Sequence, residues 1–291
     1  MIGGAAHPSM IVVRDAVARA LAEDLTPLGD LSSTLLPPGL SATAEFVPRA
    51  DGVLAGVRCA IEAFAQIDPA LKVTWQADDG DWVERGRPIG MVAGALTSIL
   101  GGERTALNFL THLSGVATQT RRFVEAVAAV GGRARIWDTR KTTPGLRALE
   151  KAAVRAGGGV NHRGNLSEWV MLKDNHLAHL GIEDGIRVAR AQWPGRLVHV
   201  ECESEEQVEA ALAAGADAIL LDNMRPEDVR ACVALAHEVA SRLGGRRPLL
   251  EVSGGITLEN VGAYAAAGAD LISSGAITMS APALDIGLDA R

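Results

Sequence analysis

The fold class that this sequence predicts is α/β, with a parallel α/β barrel in its second half. After about residue 130, short apolar runs alternate with helix-forming segments almost to the C-terminus, as expected of βαβ units. The runs end in polar or charged residues, and such ends carry the active sites of barrels. No dinucleotide-binding glycine fingerprint follows any run, which disfavours a doubly wound sheet.

The N-terminal part of the chain has a different pattern. Residues 10–24 show the periodicity of an amphipathic helix. From Ser41 to about Ala95, short apolar runs are separated by Gly, Asp and Pro, which indicates strands and turns. Residues 78–90 resemble the hairpin of biotinyl and lipoyl carrier domains, but the lysine that such carriers need at the hairpin tip is missing. We therefore expect a structural sandwich, with a carrier module as the weaker alternative.

Two further helices are predicted between these parts. A long amphipathic helix begins near Glu103 and has leucine and alanine spaced along one face. We expect it to link the N-terminal part to the barrel. Thr143 and Pro144 have the residue types of an N-cap and a first helical position, and Gly157 that of a C-cap.

Composition and charge exclude several classes of function. The formal net charge is -7 and aromatic residues make up 3% of the chain, so neither a basic nucleic-acid surface nor a base-stacking platform is expected. The three cysteines, Cys59, Cys202 and Cys232, lack metal-ligand spacing and are expected to be inert thiols of a reducing cytosol. Neither a signal peptide nor a run of ~20 apolar residues is present. We expect a soluble, cytoplasmic protein without a membrane partner.

Positive charge is concentrated where the predicted barrel would bring side chains together. The basic residues at or near the ends of the apolar runs are Arg140, Lys141, His162, Arg163 and Lys173. Burial of cations without partners is costly, and guanidinium groups bind both oxygens of a carboxylate or phosphate. Their convergence therefore predicts a small, highly anionic ligand. Arg104 lies outside the barrel in sequence and would enter a site only by domain or subunit packing.

Two carboxylates and two glycine loops complete the predicted site. Glu201 and Asp222 end consecutive runs, so we expect them side by side, holding ribose hydroxyls and a divalent ion. With two carboxylates and no histidine cluster, the ion is expected to be Mg²⁺, bound directly or through water and largely by substrate phosphates. Glycine lets backbone N–H groups approach a phosphate, and the candidate phosphate-binding residues are Ser253, Gly254, Gly255, Ser274, Gly275 and Ala276.

These residues lie in longer motifs that resemble the quinolinate phosphoribosyltransferase family, one of the type II phosphoribosyltransferases. The motifs cover nearly the whole chain and are EDLTPLGDLSS, GERTALNFLTHLSGVAT, DTRKTTPGLRALEKAAVRAGGGVNHR, LKDNH, VECES, AILLDNM, EVSGGITLEN and LDIGLD. The resemblance implies an N-terminal α/β sandwich domain over 1–115 and an incomplete, six- or seven-stranded parallel α/β barrel over 116–275. Residues 276–291 are expected to pack back on the first domain.

The resemblance also implies a role for each candidate residue. The quinolinate pocket comprises Thr139, Arg140, Lys141, His162, Arg163 and Lys173. Glu201 and Asp222 face the ribose of phosphoribosyl pyrophosphate, and the loops at 253–255 and 274–276 bind its 5-phosphate. The expected catalytic residues are Lys141, Lys173, Glu201 and Asp222. The protein is expected to be at least a homodimer, with Arg104 reaching the partner subunit's active site.

The implied reaction is phosphoribosyl transfer to quinolinate with loss of CO₂, a step of NAD biosynthesis. Two alternatives remain open at this point. One is a related phosphoribosyltransferase or pyrophosphorylase-like protein that uses a different aromatic acid. The other is an aldolase-like barrel in which Lys173 forms a Schiff base.

Overall fold

The structure is a computed structural model that describes residues 7–290, which form two compact units. Of the described residues, the first unit contains 7–121, 142–158 and 277–290, and the second contains 122–141 and 159–276. Segment 142–158 is thus grouped with the N-terminal part, although it lies between barrel strands in the chain. The predicted domain limits at residues 115 and 275 stay a prediction.

The described residues contain twelve strands and ten α-helices. The strands are β1 (Ser41–Pro48), β2 (Gly52–Val53), β3 (Lys72–Trp75), β4 (Trp82–Val83), β5 (Gly90–Ala95), β6 (Arg135–Trp137), β7 (Val170–Leu172), β8 (Val198–Cys202), β9 (Ala218–Asp222), β10 (Leu249–Ser253), β11 (Leu271–Ser273) and β12 (Ile286–Ala290). The helices are α1 (Met10–Leu25), α2 (Val57–Ile67), α3 (Leu96–Ala129), α4 (Arg147–Ala156), α5 (Asp174–Leu180), α6 (Ile182–Gln192), α7 (Glu205–Ala213), α8 (Pro226–Leu243), α9 (Val261–Ala267) and α10 (Ala276–Met279). A short 3₁₀ helix covers Ser33–Leu35.

The first unit is built on an antiparallel sheet with the strand order β12-β1-β5-β3. The separate pair β2-β4 contains part of the carrier-like hairpin. Phe46 of β1 is fully buried and stacks on Trp75, with ring centroids 4.6 Å apart, and meets the edge of Phe64 from α2. This aromatic cluster joins sheet to helix, as in an α/β sandwich. Because β12 pairs with β1, the end of the described chain belongs to this sheet.

The predicted helices are present, but some of their limits differ. α3 begins at Leu96, before the predicted start near Glu103. α4 begins at Arg147 rather than at Pro144, because Gly145 has a φ of +81°, which is incompatible with a right-handed helix. Gly157 is the C-cap of α4, as predicted. Helix α2 was missed, since only strands and turns were predicted in that part of the chain.

The second unit contains the six predicted barrel strands in the order β6-β11-β10-β9-β8-β7, and every pair is parallel. Helices α5 to α9 lie between consecutive strands from β7 to β11. Val160 adds one parallel bridge to Trp137 at the β6 edge. Among the described residues no pairing joins this edge to β7, so the barrel is incomplete. The predicted fold class is therefore confirmed.

Strand alternation determines what faces the interior of the barrel. Successive side chains of a strand point to opposite faces, so Val200 and Val252 lie on the opposite face from Glu201 and Ser253. The strands β8 and β10 are largely buried on both faces, as expected of a parallel sheet covered by helices. The face that carries Glu201 and Ser253 is therefore polar, although most residues of these two strands are apolar. Within residues 7–290, no helix is long and apolar enough to span a bilayer.

Candidate active site

A pocket with a volume of about 640 Å³ lies within the second unit, at the C-terminal ends of its strands. The predicted site residues that line it are Thr139, Arg140, Lys141, His162, Arg163, Lys173, Glu201, Asp222, Ser253, Gly254 and Gly255. Residues from six separate segments of the sequence therefore meet in one cavity. Among the lining residues, four side chains carry a permanent positive charge and three carry a carboxylate, which suits an anionic ligand.

Four predicted site residues do not line this pocket. Arg104 is exposed on α3 in the first unit. In the last predicted phosphate loop, the Ser274 hydroxyl donates a hydrogen bond of 2.9 Å to the Ile256 carbonyl. A Cβ at Gly275 would lie 2.9 Å from Cδ of Lys141, so the glycine lets the lysine stem cross the loop closely. The assigned roles of these residues, including Ala276, stay predictions.

The buried carboxylate of Asp138, directly after β6, positions the loop that carries His162. One carboxylate oxygen accepts a hydrogen bond of 2.8 Å from the His162 backbone N–H. The other accepts one of 2.6 Å from the Asn161 side-chain amide. The rings of Trp137 and Trp169 each lie 5.0 Å from the His162 ring, centroid to centroid. Backbone and ring are thus both held, which fixes His162 at the inner end of the pocket.

On the cationic side of the pocket, the positive charge of Arg140 acts on the guanidinium group of Arg163. Arg163 is buried, and its Nε has no hydrogen-bond partner among the described residues. Burial, followed by the positive charge of Arg140, lowers the pKa of Arg163, whereas the charges of Glu168 and Glu251 oppose this effect. Like charges at close range raise the free energy of the ligand-free pocket. An anion that neutralises the two guanidinium groups would therefore be bound favourably.

The acidic side of the pocket consists of Glu201 and Asp222, and the positive charge of Lys173 lies next to them. The Lys173 ammonium forms a close ion pair with the buried Glu201 carboxylate. Partial burial, followed by the negative charge of Glu201, raises the pKa of Asp222, and the charge of Lys173 opposes the rise. The Asn223 side chain donates a hydrogen bond of 2.8 Å to Asp222. Two carboxylates that repel each other at one rim are suited to share a cation.

The turn after β10 requires glycine for steric reasons. A Cβ at Gly254 would lie 2.2 Å from Oδ1 of Asn223, and the Gly254 φ is +93°. Asn223 itself has a φ of 54°, and its backbone N–H donates to the Ser253 carbonyl at 3.0 Å. These contacts hold the C-terminal ends of β9 and β10 next to each other. This arrangement places Asp222 next to the predicted phosphate-binding residues 253–255.

Glu251 lines the floor of the pocket and His199 lies beneath it, and neither residue was predicted. Glu251 of β10 lies two residues before Ser253 on the same strand face, and His199 of β8 lies two residues before Glu201. Burial alone would raise the pKa of Glu251, but its pairing with His162 and its hydrogen bond with Ser273 lower it. Burial lowers the pKa of His199 to about 4. A polar residue at every second position of these runs was the signal that could have identified both.

Comparisons with known proteins identify the family of this chain. The family model described as "Quinolinate phosphoribosyl transferase, N-terminal domain" matches residues 30–114. The corresponding C-terminal domain model matches residues 116–289. The chain belongs to the quinolinate phosphoribosyltransferase family.

Curated relatives and solved structures of the family agree with this assignment. The chain is 43% identical to nicotinate-nucleotide pyrophosphorylase [carboxylating] of Mycobacterium leprae, over 95% of this chain and 96% of that protein. It is 42% identical to the probable enzyme of the same name from Bacillus subtilis, over 90% and 88%. Its structure matches nicotinate-nucleotide pyrophosphorylase from Francisella tularensis with a TM-score of 0.92 at 35% identity, covering 98% of both chains.

The resemblance stated from the motifs is thus confirmed for both parts of the chain. Family membership favours a phosphoribosyltransferase over the aldolase-like barrel and the carrier module. The pocket geometry agrees, since Lys173 is paired with Glu201 in a cluster of charges.

The repulsion at the acidic rim predicts a stability change for Asp222→Asn. Because the raised pKa of Asp222 reflects a charged form that the fold disfavours, removal of the charge is expected to raise the Tm at neutral pH. The gain should shrink as the pH falls through the raised pKa, since the wild-type carboxyl then becomes neutral as well. Thermal unfolding of the ligand-free protein across this pH range measures the effect.

Asp228→Asn is the matched control for this prediction. The hydrogen bond from Arg225 lowers the pKa of Asp228, so loss of its charge should not stabilise the protein. A lower Tm for Asp222→Asn at neutral pH would show that the carboxylate is satisfied in the free pocket.

Proposed function

We propose that the protein transfers the phosphoribosyl group of phosphoribosyl pyrophosphate to the ring nitrogen of quinolinate. The products are nicotinate mononucleotide, pyrophosphate and CO₂, and the reaction serves NAD biosynthesis. The observation that carries the proposal is the pocket itself, in which a cationic side and an acidic side meet at the ends of the barrel strands. A pyridine diacid suits the first side, and a ribose that develops positive charge suits the second.

The cationic side binds the two adjacent carboxylates of quinolinate. Arg140 and Arg163 provide planar donor groups that match a carboxylate, and Thr139 and His162 line the same cavity. Two carboxylates neutralise more positive charge than the single carboxylate of nicotinate. The mutual repulsion of the two arginines is therefore relieved more fully by the diacid, which favours quinolinate as the substrate.

The acidic side faces the ribose and would hold the metal ion. Glu201 and Asp222 stabilise the positive charge that develops at C1 of the ribose when pyrophosphate departs. The donor set fits Mg²⁺, because two carboxylates whose charges repel at one rim supply the oxygen ligands that this ion prefers. When bound, Mg²⁺ neutralises negative charge on the pyrophosphate.

The protein's own groups position the reactants and place charge, and no covalent enzyme intermediate is needed. The pyridine nitrogen forms a bond to C1 of the ribose while the bond from C1 to the pyrophosphate oxygen breaks. Lys141, whose stem crosses Gly275, offers an ammonium group to the leaving pyrophosphate. The carboxylate next to the quaternised nitrogen then leaves as CO₂, its bonding electrons remain on the ring carbon, and that carbon takes up a proton. Binding in one fixed geometry supplies much of the acceleration.

The proposed working form is a homodimer or larger assembly in the cytoplasm. Arg104 is exposed on α3 in the first unit, which makes it available to a partner subunit. We infer that each subunit donates this arginine to the quinolinate pocket of its partner. The three cysteines are free and buried, which suits a reducing compartment.

An assay of the purified protein tests the function directly. With quinolinate, phosphoribosyl pyrophosphate and Mg²⁺, we expect equal amounts of CO₂ and nicotinate mononucleotide. Nicotinate in place of quinolinate should give little product, because it leaves part of the cationic side unneutralised. Equal or faster turnover of nicotinate would contradict the proposed substrate.

Arg163→Ala tests the cationic side of the pocket. Loss of a buried, charge-assisted contact is expected to lower kcat/KM for quinolinate by roughly 30- to 150-fold, equivalent to ~2–3 kcal/mol. The KM for phosphoribosyl pyrophosphate should change much less. Arg187→Ala, which removes an exposed arginine paired with Asp184 on α6, is the control. Wild-type kcat/KM for Arg163→Ala would place quinolinate elsewhere.

Mixing of two inactive variants tests the donation of Arg104. Arg104→Ala and Lys173→Ala are each expected to be inactive alone. After subunit exchange, a mixed dimer has one site with both native residues, so random mixing should restore about one quarter of the wild-type activity. Demonstrated subunit exchange without any recovery of activity would mean that Arg104 does not act across the interface.

A further inference from the structure

Three buried side chains converge beneath the pocket and present donor atoms to one another. Nε2 of His162 and Nε2 of His199 each lie 3.4 Å from Oε2 of Glu251. One donor atom from each of the three residues lies within 4.8 Å of the others. All three residues belong to the second unit. His199 is 2% exposed and Glu251 is 1% exposed, so bulk water does not solvate these atoms.

The contact between His199 and Glu251 does not have the geometry of a satisfied hydrogen bond. Nε2 of His199 and Oε2 of Glu251 make no hydrogen bond within the described residues, although they lie 3.4 Å apart. Buried polar atoms without partners are costly and rare in folded proteins. A group between these two atoms would remove that cost.

The spacing suits a tetrahedral metal ion. Ligands that lie ~2.0–2.1 Å from a tetrahedral zinc ion are separated from one another by about 3.3–3.4 Å. The two distances from Glu251 have this length. Two imidazoles and one carboxylate form a ligand set that favours Zn²⁺ and other transition metals over Mg²⁺.

We propose that His162, His199 and Glu251 form a binding site for a divalent transition-metal ion, with Zn²⁺ preferred. The three side chains leave a fourth coordination position for water. The site is distinct from the Mg²⁺ site at Glu201 and Asp222, which offers only carboxylates.

The metal site shares His162 with the pocket proposed for quinolinate. A histidine nitrogen that coordinates an ion cannot also donate a hydrogen bond to a substrate carboxylate. Zn²⁺ is therefore expected to inhibit the reaction in competition with quinolinate. This consequence, unlike the metal site itself, rests on the proposed function.

Titration with Co²⁺ tests the site without any assay of activity. Co²⁺ in a tetrahedral site gives strong visible d–d absorption, so the chelator-treated full-length protein should develop this spectrum and saturate at one equivalent. Added Zn²⁺ should abolish it. His199→Gln and Glu251→Gln should each weaken Co²⁺ binding by at least about tenfold, a loss that even an outer partner of a metal ligand can cause. Absence of a stoichiometric spectrum in the wild-type protein overturns the proposal.

Two control variants locate the bound ion. His237→Gln removes an exposed histidine of α8 and should leave the spectrum unchanged. A second group of possible ligands, comprising His7, Asp78 and Asp79, lies in the first unit, so His7→Gln is the other control. Loss of the spectrum in His7→Gln, with its retention in His199→Gln, would also overturn the proposal. Circular dichroism of each variant separates loss of the site from loss of the fold.

Inhibition kinetics separate the two proposals. With buffered free Zn²⁺, the apparent KM for quinolinate should rise while that for phosphoribosyl pyrophosphate stays constant. The inhibition should be lost in His199→Gln. Stoichiometric metal binding without competition would support the metal site and contradict the placement of quinolinate at His162. Turnover without any metal binding would overturn the metal site and leave the proposed function intact.

Discussion

Repulsion between like charges within one pocket is the constraint on which the rest of the site depends. Burial and then the charge of Arg140 lower the pKa of Arg163, and burial and then the charge of Glu201 raise that of Asp222. Each pair would separate in a flexible protein, because water would solvate the charges individually. Here the fold holds both pairs, and neighbouring groups of opposite charge offset the repulsion only in part, so ligands of opposite charge relieve the remainder when they bind. Such preorganised charge costs no rearrangement during the reaction.

Hydrogen bonds between neighbouring segments hold these charges in place. Asp138 accepts hydrogen bonds from the backbone of His162 and the side chain of Asn161. The pairing of Asn223 with the Ser253 carbonyl fixes the ends of β9 and β10 relative to each other. Because parallel strands end at the same edge of a sheet, each of these local contacts positions residues that are distant in sequence.

The barrel and most of its rim were predictable from the sequence because both depend on local patterns. Apolar runs gave the six strands, and the position of a residue at the end of a run gave its place in the pocket. Helix α2 was missed because its residues Val57–Ile67 stand among glycine-punctuated apolar runs that read as strands. The start of α4 was misplaced because the positive φ of Gly145 is a backbone property that residue type alone does not give.

The floor of the pocket was not predictable by the same means. His199 and Glu251 interrupt apolar runs at alternate positions, which marks them as inward-facing. Their mutual contact joins strands β8 and β10. The contact between Glu251 and His162 joins β10 to the segment between β6 and β7. No local pattern predicts a contact between residues so far apart in the chain. The floor therefore depends on strand order and register, which become known only with the fold.

The charge on this floor bears directly on how the pocket binds an anion. An ionised Glu251, buried below the pocket, repels a diacid bound above it, and the low dielectric of the interior strengthens the repulsion. A neutral His199 does not offset that charge, because its pKa of about 4 leaves it unprotonated at pH 7. Arg163 offsets it in part, since the charges of the two residues interact. The balance between the charges of Glu251 and Arg163 therefore sets the potential at the inner end of the pocket and with it the affinity for the acid.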